Sequence, residues 1–273
     1  MQSKIILSAL FVSMGIKLIN DTCSVTVNKV QIESEKWNNK QPLRIIQISD
    51  MHNRKFGKNN EKVFRQLKKF TPDIVLITGD LIDRSTKEFS RVKGFIQELT
   101  LNYPHVFFVN GNHECEHPRE QQLHQILIEN GVKILNNENS VCNVEGTSVN
   151  IIGINDAATD HDDLQKATDR VDGNYYTILL SHAPNIVWKE EEAISQMNLI
   201  LSGHTHGGQL RIPFIGALVI PEQKFPATYD QGTYKLDKDC TLYIDHGLGT
   251  TRLPVRLFCR SQITYMEVFH KEN

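Results

Sequence analysis

Apolar runs that each stop at a cluster of polar, mostly ionisable side chains constrain this chain more than anything else in it. LRIIQIS (43–49), DIVLITG (73–79) and HVFFVNG (105–111) read as buried strands, since they are too continuously apolar to leave one face in water. Between them, 59–70 and 87–101 read as helices, the first with Val63, Phe64, Leu67 and Phe70 on one face. A third helix, 118–130, opens at Pro118 and stops before Gly131. This alternation builds a sheet covered by helices. Further along, VKIL, VCNV and VNIIGI, then YYTILLSH (175–182) and NLILSGHTH (198–206), read as strands, with a helix around 186–197. LRIPFIG, GTYKL, TLYIDHG and QITYMEVF read as strands joined by turns, and SVTVNKVQI (24–32) as a half-buried strand. One two-sheet α/β domain is expected over residues 23–270.

Composition excludes some functions. A net charge of -2 lacks the basic excess that phosphate-backbone binding needs, so no nucleic-acid partner is expected. The five cysteines are odd in number, widely spaced and without a Cys-x-x-Cys pair, which excludes a disulfide framework and a thiolate zinc site. Residues 1–20 stand apart: after Lys4 comes IILSALFVSMGI, free of charge, then Lys17. A basic start followed by an apolar stretch reads as an N-terminal signal or anchor segment, and places the protein at a membrane. Its flanking lysines are too even to choose a side.

The strand ends carry the chemistry. QISDMH supplies Asp50 and His52, ITGDLID supplies Asp80 and Asp83, and VNGNHE supplies Asn112, His113 and Glu114. LLSH ends in His182, and LSGHTH in His204 and His206. In open α/β sheets the ligand crevice lies beyond the carboxyl ends of the strands, so these five clusters are expected to converge. Carboxylate, imidazole and amide oxygen without thiolate suit divalent Mn, Fe, Zn, Ni or Co. Seven such donors exceed what one tetrahedral ion takes, whereas two ions bridged by one carboxylate would use them all and generate a hydroxide nucleophile for phosphoryl transfer.

The set Asp50-x-His52, Gly79-Asp80-x-x-Asp83, Gly111-Asn112-His113-Glu114, His182 and Gly203-His204-x-His206 resembles the calcineurin-like metallophosphoesterases in order and spacing. The resemblance implies an α/β/β/α sandwich of the metallo-dependent phosphatase type with two divalent metal ions. Asp50, His52, Asp80 and His206 would hold the first metal, and Asp80, Asn112, His182 and His204 the second. His113 would be the general acid, with Asp83 fixing its ring. Arg84 is a candidate contact to substrate phosphate. GHTHGGQLRIPFIGAL and DHGLGTTRLPVRLF, with the apolar N-terminus, resemble the bacterial membrane-associated branch of that family, which includes cell-envelope phosphodiesterases and UDP-2,3-diacylglucosamine hydrolases. A phosphodiester or pyrophosphate of an envelope lipid or nucleotide-sugar lipid is the substrate this implies. The alternative from another class is a metal-binding scaffold with weak or no catalysis. A metallo-β-lactamase pattern is excluded, because Gly207, Gly208 and Gln209 follow His206 where that pattern needs Asp-His.

Overall fold

Strands apolar on both faces must be covered on both, and this chain does so by stacking two sheets and lining each outer side with helices. The computed structural model describes residues 2–218, 220–221, 223, 228–251 and 253–271. Met1 of the expected N-terminal segment and Arg252 of the DHGLGTTRLPVRLF stretch lie outside them. The first sheet holds β1 (Val25–Ser34), β2 (Leu43–Ile48), β3 (Ile74–Ile77), β4 (Val106–Phe108), β5 (Lys133–Ile134) and β14 (Ser261–His270). Its order is β1-β14-β2-β3-β4-β5, parallel from β2 to β5. The second holds β6 (Glu138–Val144), β7 (Thr147–Gly153), β8 (Tyr176–Leu180), β9 (Leu199–Ser202), β12 (Gly232–Asp237) and β13 (Cys240–Ile244), in the order β12-β13-β9-β8-β7-β6.

Period-two alternation divides each strand between two layers. Ile45, Leu76 and Phe107 of the first sheet meet Ile178, Leu180 and Leu201 of the second in the core between the sheets. Their neighbours Ile46, Val75 and Phe108 turn outward to α2 (Glu61–Leu67), α3 (Ser90–Asn102) and α5 (Glu120–Glu129). On the far side, Leu179, Ile200 and Leu242 meet α6 (Leu164–Ala167), α7 (Ile186–Lys189) and α8 (Glu191–Ile194). The mixed α/β architecture with two main sheets is the one expected.

Three local readings change. The run 210–216 is no single strand: Arg211–Ile212 (β10) pairs antiparallel with Gly216–Ala217 (β11), turning through Pro213, which has no N–H to give a ladder. The helix expected over 186–197 breaks at Glu190, whose φ of -129° and ψ of 43° leave the helical region. The helix expected to open at Pro118 starts at Glu120, after a separate short helix, α4 (Asn112–Cys115).

Residues Gln2–Cys23 form one helix, α1. Ile6, Phe11, Val12, Ile16 and Ile19 are exposed on it. No helix among the described residues is long and apolar enough to cross a membrane. Its last turn is embedded: Asp21 is fully buried, pairs with Lys17 at 2.9 Å and Arg260 at 3.1 Å, and accepts from Phe258 N at 2.8 Å.

Ile178 is fully buried in the layer where the sheets meet. Ile178→Ala should lower unfolding free energy by about 2–5 kcal/mol, read as a shift in the denaturant midpoint at constant slope.

Candidate metal centre

Hydrogen bonding between β2 and β3 continues past both strands: Asp50 N donates to Gly79 O at 3.0 Å and His52 N to Asp80 O at 2.9 Å. The backbone then enters a region that side chains rarely adopt. Asp50, His52, Asp80, His204 and His206 have φ of 51°, 49°, 53°, 67° and 52°. Each such residue costs about 1–3 kcal/mol and persists only where its surroundings over-determine it. Here they do: the Glu114 carboxylate accepts from Asp80 N at 2.8 Å, Ile82 N at 3.0 Å and Gly111 N at 2.9 Å, pinning the turn that carries Asp80. Gly203 lets the second sheet's turn pass against the first, since a Cβ there would overlap Ser49 Oγ and Asp50 Oδ2. The close approach allows His204 N to donate to Asp50 Oδ1 at 3.1 Å.

The seven candidate donors form two buried groups that share Asp80. In the first, His52 Nε2 faces His206 Nε2 at 3.1 Å, with Asp50 Oδ1 3.3 Å from His206 Nε2. In the second, His182 Nε2 lies 3.2 Å from both His204 Nδ1 and Asn112 Oδ1, and His204 Nδ1 lies 3.2 Å from Asn112 Oδ1. Asp80 Oδ2 sits between them, 3.5 Å from His52 Nε2 and 3.3 Å from His182 Nε2.

This arrangement fits cations. His182 Nδ1 is 2.7 Å from Thr78 O, to which it donates, so the ring turns its Nε2 lone pair toward three acceptor atoms. Such acceptors repel one another unless a positive charge stands among them. Without metal, protons do part of this: burial alone would lower His182, but the Asp80 charge and hydrogen bond hold it well above the usual imidazole value. Asp80, despite burial that would raise it, is held well below the carboxylate range by His182 and His52. Burial, with the neighbouring His52 and Arg256, pushes His206 well down, and burial also lowers His52. Asp50, His52 and His206 form one geometrically competent metal group, and Asp50, Asp80 and His182 another.

His113 stands at the mouth. Its Nδ1 lies 3.1 Å from Asp83 Oδ1, and its ring crosses His52 edge-on at 4.6 Å. Burial opposes a charge on His113, but the Asp83 hydrogen bond and the Asp80 charge outweigh it and raise the ring above its usual value. The Arg84 guanidinium is paired with Glu116. His117, His124, His161 and His270 find ordinary partners in Thr86 O, Asn110, Thr159 and Trp37 O. His246 lies against Gly207, with its ring pushed down to about 3 by burial and by Arg256.

Two supporting residues were not legible. Arg256 is fully buried, donating from Nε to Gly249 O at 2.8 Å, from Nη1 to His206 O at 3.2 Å and from Nη2 to His246 O at 2.7 Å. Asp245, also fully buried, accepts from Gly247 N at 2.6 Å and shapes the loop that closes over Asp50, its carboxyl pushed up to about 6 by burial. An arginine in VRLF or an aspartate in IDHG gives by itself no sequence signal of burial. The glycines themselves, Gly247 and Gly249, are the nearest thing to one.

Residues 43–208 match the calcineurin-like phosphoesterase family. The chain is 28% identical to the uncharacterized metallophosphoesterase YkoQ of Bacillus subtilis (strain 168), covering 94% of this chain and 96% of that one. An uncharacterized metallophosphoesterase of Aquifex aeolicus (strain VF5) is 30% identical over 93% of this chain and 95% of its own length. Among solved structures, a 5'-nucleotidase precursor from Thermus thermophilus aligns at 15% identity and a TM-score of 0.49, over 84% of this chain and 54% of that one. The chain thus spans about half the length of that structure. With more than half its length matched to the family, the chain belongs to the calcineurin-like phosphoesterases, hydrolases that use two divalent metals.

Proposed function

We propose that the protein hydrolyses a phosphodiester or pyrophosphate carried by a cell-envelope lipid or nucleotide-sugar lipid of the UDP-2,3-diacylglucosamine kind, working at a membrane surface. The observation that carries the phosphoesterase chemistry is the sharing of Asp80 Oδ2 by two imidazole groups, at 3.5 Å from His52 and 3.3 Å from His182. In this reading Asp50, His52, Asp80 and His206 hold one metal, and Asp80, Asn112, His182 and His204 the other. When bound, the two cations supply positive charge against the phosphoryl oxygens and lower the pKa of a water.

The chain's own groups do the rest. Asp80, fixed by Glu114 through its backbone, sets the separation of the two donor groups. His182 keeps its Nε2 directed inward because its Nδ1–H is committed to Thr78 O. His113, with its Nδ1 3.1 Å from Asp83 Oδ1, would be the group that protonates the leaving oxygen. A metal-binding scaffold has no use for that pair, which favours the catalytic reading.

The membrane part rests on α1, where Phe11 is 71% and Ile16 63% exposed. A lipid surface would cover these side chains, and holding the enzyme there raises the local concentration of a lipid substrate.

Three measurements check this reading. Asp80→Asn should lower metal content, read by mass spectrometry of the eluted ions, from roughly two per chain to one or fewer, with kcat/KM on an aryl phosphodiester falling about 10³-fold. Catalytically silent metal-replete wild-type protein would overturn the assignment. His113→Asn should slow esters with an alkoxide leaving group by about 10²–10⁴-fold, and p-nitrophenyl esters far less, because a good leaving group needs no proton. Equal losses on both would remove His113 as the acid. In vesicle flotation, the wild-type chain should rise with anionic liposomes, and a Phe11→Asp, Ile16→Asp double variant should stay at the bottom; no flotation by wild type would refute membrane attachment.

A further inference from the structure

We infer that the cavity beside His206 binds an aliphatic chain of the phosphoester, so that the enzyme selects substrates with an alkyl or acyl group close to the scissile phosphate. This rests on the hydrolase reading above. The cavity, about 360 Å³, is walled by Leu210, Leu218, Pro221 and Leu253, and one wall is His206 itself, a candidate metal ligand. A group occupying it lies against one candidate ligand of the metal cluster.

Its polar lining is already committed within the protein. Gln209 donates from Nε2 to Thr251 Oγ1 at 2.5 Å and accepts from Thr251 N at 3.0 Å, while Thr205 Oγ1 accepts from Gly207 N at 3.2 Å. A sugar or base entering here would exchange its water hydrogen bonds for contact with leucine and proline side chains, whereas a hydrocarbon chain loses nothing and leaves water.

The surface outside the cavity continues in the same character. The β10–β11 turn presents Phe214, wholly exposed, and Ile215, 58% exposed, and Leu218 and Leu253 are 44% and 52% exposed at the rim. A second groove, lined by Phe214, Ile215 and Phe258, also holds the Arg211–Asp230 pair at 2.8 Å, and Lys17 of α1 lies 4.6 Å from the centre of the Phe258 ring. Exposed apolar side chains thus stand at the rim of the cavity and on the β10–β11 turn beside it. An apolar cavity rimmed by exposed apolar side chains names the occupant: a hydrocarbon chain drawn from a lipid surface on which the Phe214 turn rests.

The test uses the metal-replete full chain and p-nitrophenyl alkyl phosphodiesters with methyl, butyl and octyl groups, kept below their aggregation concentration. kcat/KM should rise at least about tenfold from methyl to octyl, mostly through KM, and octylphosphonate should bind more tightly than methylphosphonate in calorimetry by a similar factor. Leu253→Asp and Leu218→Asp, both at exposed positions, should flatten both gradients. Leu101→Asp, at an exposed position on α3, should keep them. If the methyl ester is cleaved but chain length changes neither kcat/KM nor binding, the cavity assignment falls and the hydrolase stands. Graded phosphonate binding without cleavage of any ester keeps the cavity and removes the hydrolase. Absence of both removes both. A chain-length gradient that survives Leu253→Asp and Leu218→Asp in properly folded protein also overturns the assignment.

Discussion

One carboxylate, that of Asp80, sits fully desolvated between imidazoles from opposite sides, and the surrounding structure is organised around that placement. A buried charge of this kind is tolerable only when it is paired and hydrogen-bonded. Asp80 Oδ1 accepts from His113 N at 3.0 Å, Oδ2 faces His52 and His182, and its own N–H is held by Glu114. The left-handed backbone at Asp80 follows from these demands, since it swings the side chain inward while the N–H turns to Glu114. Glu114 in turn is fully buried, and its three backbone donors come from the two turns, after β3 and after β4, that carry Asp80 and Asn112. Thus the residues that hold the centre open are as deeply buried as the residues that line it.

The two sheets contribute different parts of the site. Asp50, His52, Asp80, Asn112 and His113 follow β2, β3 and β4 of the first sheet, whereas His182, His204 and His206 follow β8 and β9 of the second. Their separation is therefore set by how closely the sheets pack, through Leu76 and Phe107 against Leu180 and Leu201. Interiors packed at crystal-like density transmit small changes in volume. A cavity in this layer would alter the distance between carboxylates and imidazoles before it unfolded the protein. Gln47 reinforces the seam, donating to Thr78 Oγ1 at 3.0 Å and, across to the second sheet, to Ser202 O at 2.9 Å.

What was legible in the sequence follows from where information is local. An apolar run ending in Asp-x-His, or in Gly-Asp, carries both the strand and its functional end, so β2, β3, β4, β8 and β9 were readable with the residues that close them. The β10–β11 hairpin was not, because LRIPFIG has strand composition throughout and only the tertiary setting turns it at Pro213. The break at Glu190 was equally unreadable: Glu190, Glu191 and Glu192 suit a helix locally, yet the chain divides there into α7 and α8, with Ile186 and Ile194 both buried in one layer. Arg256 and Asp245 were hidden because polar residues are ordinarily exposed, and nothing in their flanks marks these two as buried.

Arg256 also explains why the ends of the chain matter to its centre. A buried guanidinium is costly unless its donors are used, and here three of its nitrogens reach the carbonyls of Gly249, His206 and His246. His206 belongs to the loop after β9, and His246 and Gly249 to the loop after β13, so Arg256 joins the two loops that close the site on the second sheet's side. Its backbone N–H donates to Thr22 Oγ1 at 2.8 Å, and Thr22 is in the embedded last turn of α1. The same helix therefore has two physical characters: a stretch on which Ile6, Phe11, Val12, Ile16 and Ile19 are exposed, and a terminal turn bonded, through one arginine, to the backbone of the candidate ligand His206. Two hydrogen bonds and the length of one side chain separate Thr22 Oγ1 from His206 O, so the packing of this turn and the placing of the β9 loop are met by the same buried residue.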